Sequence, residues 1–263
     1  MANPEVSIGI ATCGRPQCIR RCIRSIKQYV KVPYKIIILD NTKAFTDKLD
    51  NQIEGYKKYA DIFIEIDDRK IGCSESNNLI AEACDTPYLM HLDDDCYLIS
   101  DIVSAELDAI NKYDADIVSC LWKDAYYKRF REACIKHIIG YDNGKKIFWK
   151  ISIPKDIFNG FTHIYSDEAL HSMIVNMDVY SKVKWDNNFE WKGDREDFFL
   201  SCKKHNIKVM NLLDHYVIHD PQPFYYGSLS YEFDGNKAIE YFQKKWNMYP
   251  MFNWAGYQDK PRP

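Results

Sequence analysis

The sequence predicts an α/β fold in which a mostly parallel central sheet is flanked by helices and followed by an irregular C-terminal part. Over residues 1–120, short runs of β-branched and aliphatic residues alternate with longer segments whose apolar residues recur at helical spacing. Turn-forming residues bound each run. This alternation is typical of parallel strands, because a helical crossover returns the chain to the same end of the sheet.

Each predicted strand with a defined end in the first half is followed by polar residues. The strands are predicted at residues 6–11, 36–39, 62–66 and 88–92, and a further strand begins at 116–120. In open α/β sheets, ligands bind beyond the carboxyl ends of the strands, so the polar residues there should meet in one site. That candidate site comprises Thr12, Asp40, Asp68 and an acidic triplet, Asp93, Asp94 and Asp95.

Helices are predicted between these strands and again in the second half. Pro16 suits the first turn of the first helix, and Ser100 and Asp101 suit the cap of the helix that follows the acidic triplet. We predict one globular domain, 1–263, with two functional halves that meet near residue 120. The predicted helices cover 16–30, 74–84, 101–110, 196–205 and 236–249, and a strand pair is predicted at 208–213 and 217–219.

The composition excludes several classes of protein. The 263 residues carry 35 Lys plus Arg against 38 Asp plus Glu, so the chain lacks the basic excess of a protein held to nucleic acid by phosphate contacts. Hydrophobic residues make up 46% of the chain, which suits a packed core and excludes disorder as the main state. No run approaches the roughly 18 apolar residues of a membrane-spanning helix. We therefore expect a soluble, cytoplasmic protein, with peripheral membrane association left open.

The cysteine pattern predicts reduced thiols rather than disulfides or a zinc site. The nine cysteines are an odd number and are scattered through apolar segments. The nearest pair, Cys18 and Cys22, has helical spacing, whereas a structural zinc site usually has pairs two to four residues apart in a turn.

The acidic triplet is the feature that most directly predicts chemistry. Three successive carboxylates at the mouth of a buried strand repel one another unless a cation lies beside them. If the segment is extended, Asp93 and Asp95 point the same way and can share one ligand, while Asp94 faces elsewhere. Hard carboxylate oxygens suit Mg²⁺ or Mn²⁺. The alternative is a solvated acidic turn that caps the next helix.

Six segments along the chain together form a more specific pattern than any one of them. They are VSIGIATCGRP at 6–16, IIILDNT at 36–42, IGCSESNN at 71–78, HLDDD at 91–95, GDRED at 193–197 and KKW at 244–246. In kind and order this set resembles the inverting glycosyltransferases of the GT-A fold, and within them the large family 2. The chain departs from the family's glycine-rich segment before the third helix, where it has only Gly72.

Two other nucleotide- or phosphate-handling families fit less well. A haloacid-dehalogenase-type hydrolase would carry an aspartate pair after the first strand, where this chain has Ala11, Thr12 and Cys13. A sugar nucleotidylyltransferase would carry a glycine-rich loop at the same place, and the segment from Thr12 to Pro16 is not one.

The resemblance implies a donor site in the first half, at 1–120. Thr12 and Arg15 would lie beside the nucleotide, with Asp94 completing the donor-binding set. Asp40 would hydrogen-bond the base, typically uracil. In the same way, Asp68 and Arg69 would border the base and ribose, Asp93 would reach the ribose or the metal, and Asp95 would bind the Mn²⁺ or Mg²⁺ that bridges the diphosphate.

The resemblance also implies an acceptor and catalytic half at 121–263. Asp197 would be the catalytic base, and Glu196 would orient the acceptor. Asp194 is expected at the acceptor side and as the helix cap, although any of these carboxylates could be a plain cap. His219 would be a further metal ligand, and the alternative is a structural histidine. Trp191 would line the acceptor site, and the alternative is core packing.

The predicted function is therefore metal-dependent, inverting transfer of a sugar from a nucleoside diphosphate donor, typically a UDP sugar, to a hydroxyl acceptor such as a glycan. Two rival functions remain open: a metal-dependent nucleotidyl or phosphoryl transferase that uses the same aspartates, and a domain that binds a nucleotide sugar without turnover. The sequence disfavours a nucleic-acid acceptor without excluding it. It predicts neither the donor sugar nor the oligomeric state.

Overall fold

The computed structural model describes residues 5–44, 46, 48–130, 132–170, 172–190, 192–220 and 235–251. Its α-helices are α1 (Pro16–Tyr29), α2 (Asp50–Lys57), α3 (Cys73–Ala83), α4 (Ile102–Tyr113), α5 (Asp194–Lys204) and α6 (Gly235–Trp246). The strands are β1 (Val6–Thr12), β2 (Tyr34–Asp40), β3 (Ile62–Glu65), β4 (Tyr88–His91), β5 (Cys96–Tyr97), β6 (Ile117–Asp124), β7 (Glu132–Asp142), β8 (Lys145–Pro154), β9 (His163–Ser166), β10 (Met173–Asn176), β11 (Val209–His219) and β12 (Tyr249–Met251).

The main sheet has the order β3-β2-β1-β4-β10-β6-β11-β5, and β9 also pairs with β11. Strands β1 to β4, β6 and β11 run in one direction, because β10 is antiparallel to both β4 and β6. The predicted α/β fold with a mostly parallel sheet and flanking helices is confirmed. The carboxyl ends of β1, β4 and β11 therefore lie along the same edge.

Helices cover both faces of this sheet, so its central strands are apolar on both sides. In β2, Ile36 and Ile38 pack into the cluster that contains α1 and α4 residues, whereas Ile37 and Leu39 pack towards α3. Gly9 in β1 permits the close approach of α3, since a Cβ there would lie 2.3 Å from the Ile80 side chain. Because successive residues face two covered sides, most positions of the predicted buried strands are apolar.

The second half differs from the sequence prediction in three places. The predicted strand pair at 208–213 and 217–219 is wrong, because β11 is one strand that stays beside β6 through a register shift. The last helix ends at Trp246, and Tyr249–Met251 forms β12 instead of a final helical turn. A second sheet of order β12-β8-β7 was not predicted. Residue 120 lies within β6, so the two predicted halves share one sheet.

No helix in the described ranges has both the length and the apolar character that crossing a membrane requires.

Candidate active site

Two segments that are distant in the sequence meet at the carboxyl edge of the main sheet. The Thr12 hydroxyl, at the end of β1, donates a hydrogen bond of 2.7 Å to Asp94 Oδ2. Arg15, at the start of α1, donates from Nε to Asp94 Oδ2 at 3.2 Å and from Nη1 to Asp95 Oδ2 at 2.7 Å. Thr12, Arg15 and the acidic triplet, which the resemblance assigns to the donor site, thus lie together.

The acidic triplet is a turn rather than the extended segment that we expected. The Cys96 N–H donates to the Asp93 carbonyl at 2.9 Å, and this bond forms a turn with Asp94 and Asp95 at its centre. Asp94 is only 1% exposed, and its carboxylate contacts Thr12 and Arg15. Burial raises the pKa of Asp94 to about 7, with Arg15 opposing that rise and Asp95 adding to it. The Arg15 guanidinium thus supplies part of the positive charge that the acidic triplet requires.

Asp95 and His219 provide two atoms that fit a divalent cation. Asp95 Oδ1 is buried, makes no hydrogen bond within the described part of the chain, and lies 3.7 Å from His219 Nε2. The His219 ring stacks on Trp122 with a centroid separation of 4.4 Å. The Asp220 N–H donates to the Asp95 carbonyl at 2.9 Å, which holds the two segments together.

No cluster of three or more His, Cys, Asp or Glu side chains suited to a metal ion occurs among the described residues. Mg²⁺ and Mn²⁺ sites that also bind phosphates often use only one or two protein ligands, with waters and substrate oxygens completing the shell. The pair of Asp95 and His219 therefore fits such an ion, with Asp93 at the start of the same turn.

Asp40, which the resemblance assigns to the nucleotide base, lies at the end of β2. The Asp40 carboxylate accepts hydrogen bonds from the Thr42 N–H at 2.7 Å and from the Tyr56 hydroxyl, and the residue is 1% exposed. Burial raises the pKa of Asp40, and the bonds from Tyr56 and Thr42 oppose that rise. These bonds connect Asp40 to Thr42 and to Tyr56 of α2, and its assignment to the base stays a prediction.

Asn41, which the sequence analysis did not single out, holds the loop at 66–71 in place. Its Nδ2 donates to the carbonyls of Ile66 at 2.8 Å and Arg69 at 2.9 Å, and its Oδ1 accepts from the Ile71 N–H at 3.1 Å. An Asn directly after a strand suits local backbone bonding of this kind, which is the signal that could have identified it.

The loop at 66–71 presents Asp68 and Arg69 at the surface of the same edge. Both residues are exposed, and the Arg69 guanidinium pairs with Glu75, with Nη1 2.8 Å from Oε2. They lie beside β2 and β3, as predicted, and neither contacts the acidic triplet through a hydrogen bond given by the structure. Their assignment to the base and ribose stays a prediction.

The first turn of α5 carries Asp194, Glu196 and Asp197, all of them buried. The helix cap is Gly193, with φ of 81°, and not Asp194 as predicted. Glycine adopts this left-handed conformation without strain. The cap therefore has a suitable backbone conformation but no side-chain hydrogen bond to the helix. Asp194 is instead the first helical residue, where its charge is favoured by the helix dipole.

Asp197 and Glu196 contact different parts of the chain. Asp197 is 1% exposed, and it accepts bonds from Lys245 Nζ at 2.9 Å and Trp246 Nε1 at 2.8 Å. Burial raises the pKa of Asp197, while Lys245 and Trp246 oppose the rise. Glu196 Oε1 lies 2.9 Å from Lys150 Nζ on β8.

The beginning of α3 lies between the first turn of α5 and the acidic triplet. The Cys73 N–H donates to the Glu190 carbonyl at 2.7 Å. A Cβ on Gly72 would lie 2.2 Å from that carbonyl oxygen, so only glycine allows this approach. Burial raises the pKa of the Cys73 thiol, and the negative charges of Asp194 and Asp93 raise it further. Cys73 therefore lies between the two sets of predicted site residues.

One predicted acceptor residue, Trp191, lies outside the described residues. Its contribution to the acceptor site stays a prediction.

A cavity of about 800 Å³ is lined by Arg15, by residues of α1 and by residues 97–99. Arg21 and Tyr97 both line it, and the Arg21 guanidinium lies 4.6 Å from the Tyr97 ring centroid. One of the lining residues, Arg15, also contacts Asp94 and Asp95.

The family model for glycosyl transferase family 2 matches residues 7–183. This range includes β1, the acidic triplet and most of the main sheet, and the chain belongs to that family. A search of curated protein sequences found no match.

Solved structures with a similar fold include two glycosyltransferases of the GT-A class. S. aureus TarS, residues 1–349, superposes with a TM-score of 0.58 at 12% identity, over 82% of this chain and 60% of that one. GalNAc-T7 with UDP, GalNAc and Mn²⁺ superposes with a TM-score of 0.62 at 14% identity, over 83% of this chain and 44% of that one. TarS in complex with UDP-GlcNAc gives 0.58 at 11% identity, over 84% and 60%. This chain therefore spans about three fifths of the TarS fragment and less than half of the GalNAc-T7 chain.

Proposed function

We propose that this protein transfers a sugar from a UDP sugar to a hydroxyl acceptor, with inversion at the anomeric carbon and with a divalent cation. Family membership supports glycosyl transfer. The observation that carries the site assignment is the placement of Asp95 Oδ1 3.7 Å from His219 Nε2, next to Arg15 and at the carboxyl edge of the sheet. Solved relatives of the same fold are described with UDP, UDP-GlcNAc and Mn²⁺.

Asp95 and His219 would hold the cation, with Asp93 as a further oxygen ligand. An imidazole ligand favours Mn²⁺ over the harder Mg²⁺. When bound, the cation would neutralise charge that develops on the departing diphosphate. Arg15 holds Asp95 through Oδ2, so that Oδ1 stays directed towards His219, and its guanidinium adds positive charge on the same side.

Asp197 would accept the proton of the acceptor hydroxyl. Inversion requires a base on the face of the sugar opposite the leaving diphosphate, and one carboxylate suffices. Because burial raises its pKa, Asp197 is a stronger base than a solvated aspartate. Glu196 and Asp194, in the same helical turn, would orient the acceptor together with Trp191.

Incubation with MnCl₂ and a panel of UDP sugars, followed by chromatography of the products, tests this proposal. We expect UDP release that depends on the cation and stops with EDTA. Release of pyrophosphate would instead indicate nucleotidyl transfer. Saturable binding of a UDP sugar without any turnover would indicate a binding domain, and either result would contradict the proposal.

A further inference from the structure

The last turn of α6 contacts the first turn of α5 through two polar side chains. Lys245 Nζ lies 2.9 Å from Asp197 Oδ2, and Trp246 Nε1 donates to Asp197 Oδ1 at 2.8 Å. Both oxygens of a carboxylate that is 1% exposed thus have a donor from the same short segment. Such full satisfaction matters because an unpaired buried carboxylate is strongly unfavourable.

Lys245 also contacts a second carboxylate, that of Asp186. The Nζ to Oδ2 distance is 2.7 Å, and the Tyr241 hydroxyl donates to the same Oδ2 at 2.9 Å. The charged or titratable groups that act on Asp197 here are therefore Lys245, Asp186 and Tyr241, with the neutral indole of Trp246 completing the set. One lysine is shared between a partly exposed aspartate and a buried one.

Apolar packing already attaches α6 to the rest of the molecule. Phe242 is fully buried in a cluster with Phe148 and Phe189, and its ring centroid lies 5.5 Å from that of Phe148. The Lys245 side chain is 30% exposed, and an ion pair that solvent screens in this way adds little stability. The polar contacts of Lys245 and Trp246 therefore need another explanation than docking of the helix.

We propose that Lys245 and Trp246 are positioning residues that orient Asp197 and keep it ionised for proton abstraction. This inference rests on the proposed function. In the step itself, the acceptor O–H proton moves to Asp197 while the acceptor oxygen bonds the anomeric carbon. The bond from that carbon to the diphosphate oxygen breaks, and its electron pair leaves with UDP.

The charges predict opposite effects for two substitutions. Lys245→Met removes a positive charge from Asp197, so the carboxylate form is less favoured and its pKa rises. Asp186→Asn removes a negative charge and leaves Lys245 to Asp197 alone, so the pKa of Asp197 falls. A loss of packing alone would not give shifts of opposite sign.

Carbon-13 NMR titration of protein labelled at the aspartate carboxyl carbons measures these shifts directly, with Asp197→Asn identifying the resonance. We expect the midpoint to rise by about one pH unit in Lys245→Met and to fall in Asp186→Asn. Lys244→Met, which changes the exposed neighbour, should leave it unchanged. An unchanged midpoint in both Lys245→Met and Asp186→Asn would overturn the inference.

The second measurement is the rate of UDP-sugar hydrolysis, with the donor that gives the highest turnover among the UDP sugars tested. Trp246→Phe should lower kcat roughly ten-fold with an unchanged KM for the donor, because an N–H bond to a charged group is lost. Lys245→Met should raise the pH at which kcat falls on the acid side of its pH profile, and Lys245→Arg should return that pH to the wild-type value. If Asp197→Asn keeps full turnover, the assignment of the base fails. If Asp197→Asn is inactive while Trp246→Phe and Lys245→Met behave as wild type, only the positioning role fails.

Discussion

Arg15 lies between Asp94 and Asp95, and its guanidinium contacts both carboxylates. Three adjacent acids need a nearby cation, and this residue meets that need in part before any metal binds. Asp95 Oδ1 remains directed to His219, so the arginine and a metal ion can act on different oxygens of one side chain. At the scale of single residues, the candidate site therefore contains one positive charge, on Arg15, and one buried carboxylate oxygen that no hydrogen bond within the described residues satisfies.

Asn41 supports the first residue-scale prediction. Asn41→Ala removes both donors to the 66–71 loop and leaves the Ile71 N–H without its acceptor. We expect a loss of about 1–3 kcal/mol in the free energy of unfolding, measured with urea. The KM for the donor should rise more than kcat falls, since the loop carries Asp68 and Arg69. Asn51→Ala, at an exposed position of α2, is the control and should change stability by less than about 0.5 kcal/mol.

Glu106 in α4 predicts a pH dependence of stability. It is fully buried, and burial raises its pKa well above the usual value, with contacts to Cys120 and Ile174 opposing the rise. Below about pH 4.3 both folded and unfolded states are protonated, so the group has no effect. Above that pH the unfolded state ionises first, and stability falls by up to about 1.4 kcal/mol per pH unit until the folded group ionises.

Glu106→Gln removes this penalty while it keeps the shape of the side chain. Its free energy of unfolding relative to wild type should therefore increase as the pH rises from 4 to 7, as measured by urea denaturation at several pH values. Asp108→Asn, at an exposed position of the same helix, serves as the control. A difference between Glu106→Gln and wild type that does not vary with pH would contradict the prediction.

At the scale of elements, α5 is held on two sides by the part of the chain that forms the second sheet. Lys150 of β8 contacts Glu196 at 2.9 Å, and Lys245, just before β12, contacts Asp197. Lys150 also contacts Glu168 at 2.7 Å, a fully buried residue that pairs with Arg195 as well. The β7–β8 hairpin thus acts as a brace for the acidic turn of α5.

Lys150→Met tests this brace. The substitution leaves Glu168 with Arg195 and His137 but removes the cation beside Glu196. We expect a loss of about 2–3 kcal/mol by urea denaturation, below the 3–5 kcal/mol of a fully broken buried pair because Arg195 remains. Lys145→Met, at an exposed position of the same strand, should stay close to wild type. Equal stability of the two variants would show that Lys150 does not brace α5.

Helices α1, α3 and α4 and the buried strands of the first half could be predicted because each carries a strong apolar pattern, whereas α2 was not predicted. In α1, for example, the apolar stripe from Ile19 to Ile26 is fully buried. The β7–β8 hairpin could not, because its buried residues occupy only part of each strand and give no regular alternation. The sequence predicts two strands where β11 is one, because the polar residues Asp214 and His215 at its centre interrupt the apolar run.

The same distinction applies to the candidate site. The acidic triplet could be found in the sequence because its charges are adjacent, and its place at the end of β4 follows from the strand pattern. The partners of these acids could not be predicted. Arg15 contacts Asp94 across 79 positions, and Lys245 contacts Asp197 across 48, and no local pattern encodes such pairings.

At the scale of the whole molecule, the main sheet gathers the ends of β1, β4 and β11 while the second sheet supports α5. The crossing of α3 against the backbone of Glu190 brings these two parts close together. In the proposed mechanism, Arg15, Asp95 and His219 would form the donor side of this arrangement and Asp197 the base side.

Binding of Mn²⁺ in the presence of UDP tests the central claim most directly. The electron paramagnetic resonance signal of Mn²⁺ measures the concentration of unbound ion while protein is added. The proteins compared are wild type, Asp95→Asn, His219→Ala and the strand control His215→Ala. We predict that wild type and His215→Ala bind Mn²⁺ more tightly when UDP is present, and that Asp95→Asn and His219→Ala lose this binding. Wild-type affinity in both Asp95→Asn and His219→Ala would contradict the account.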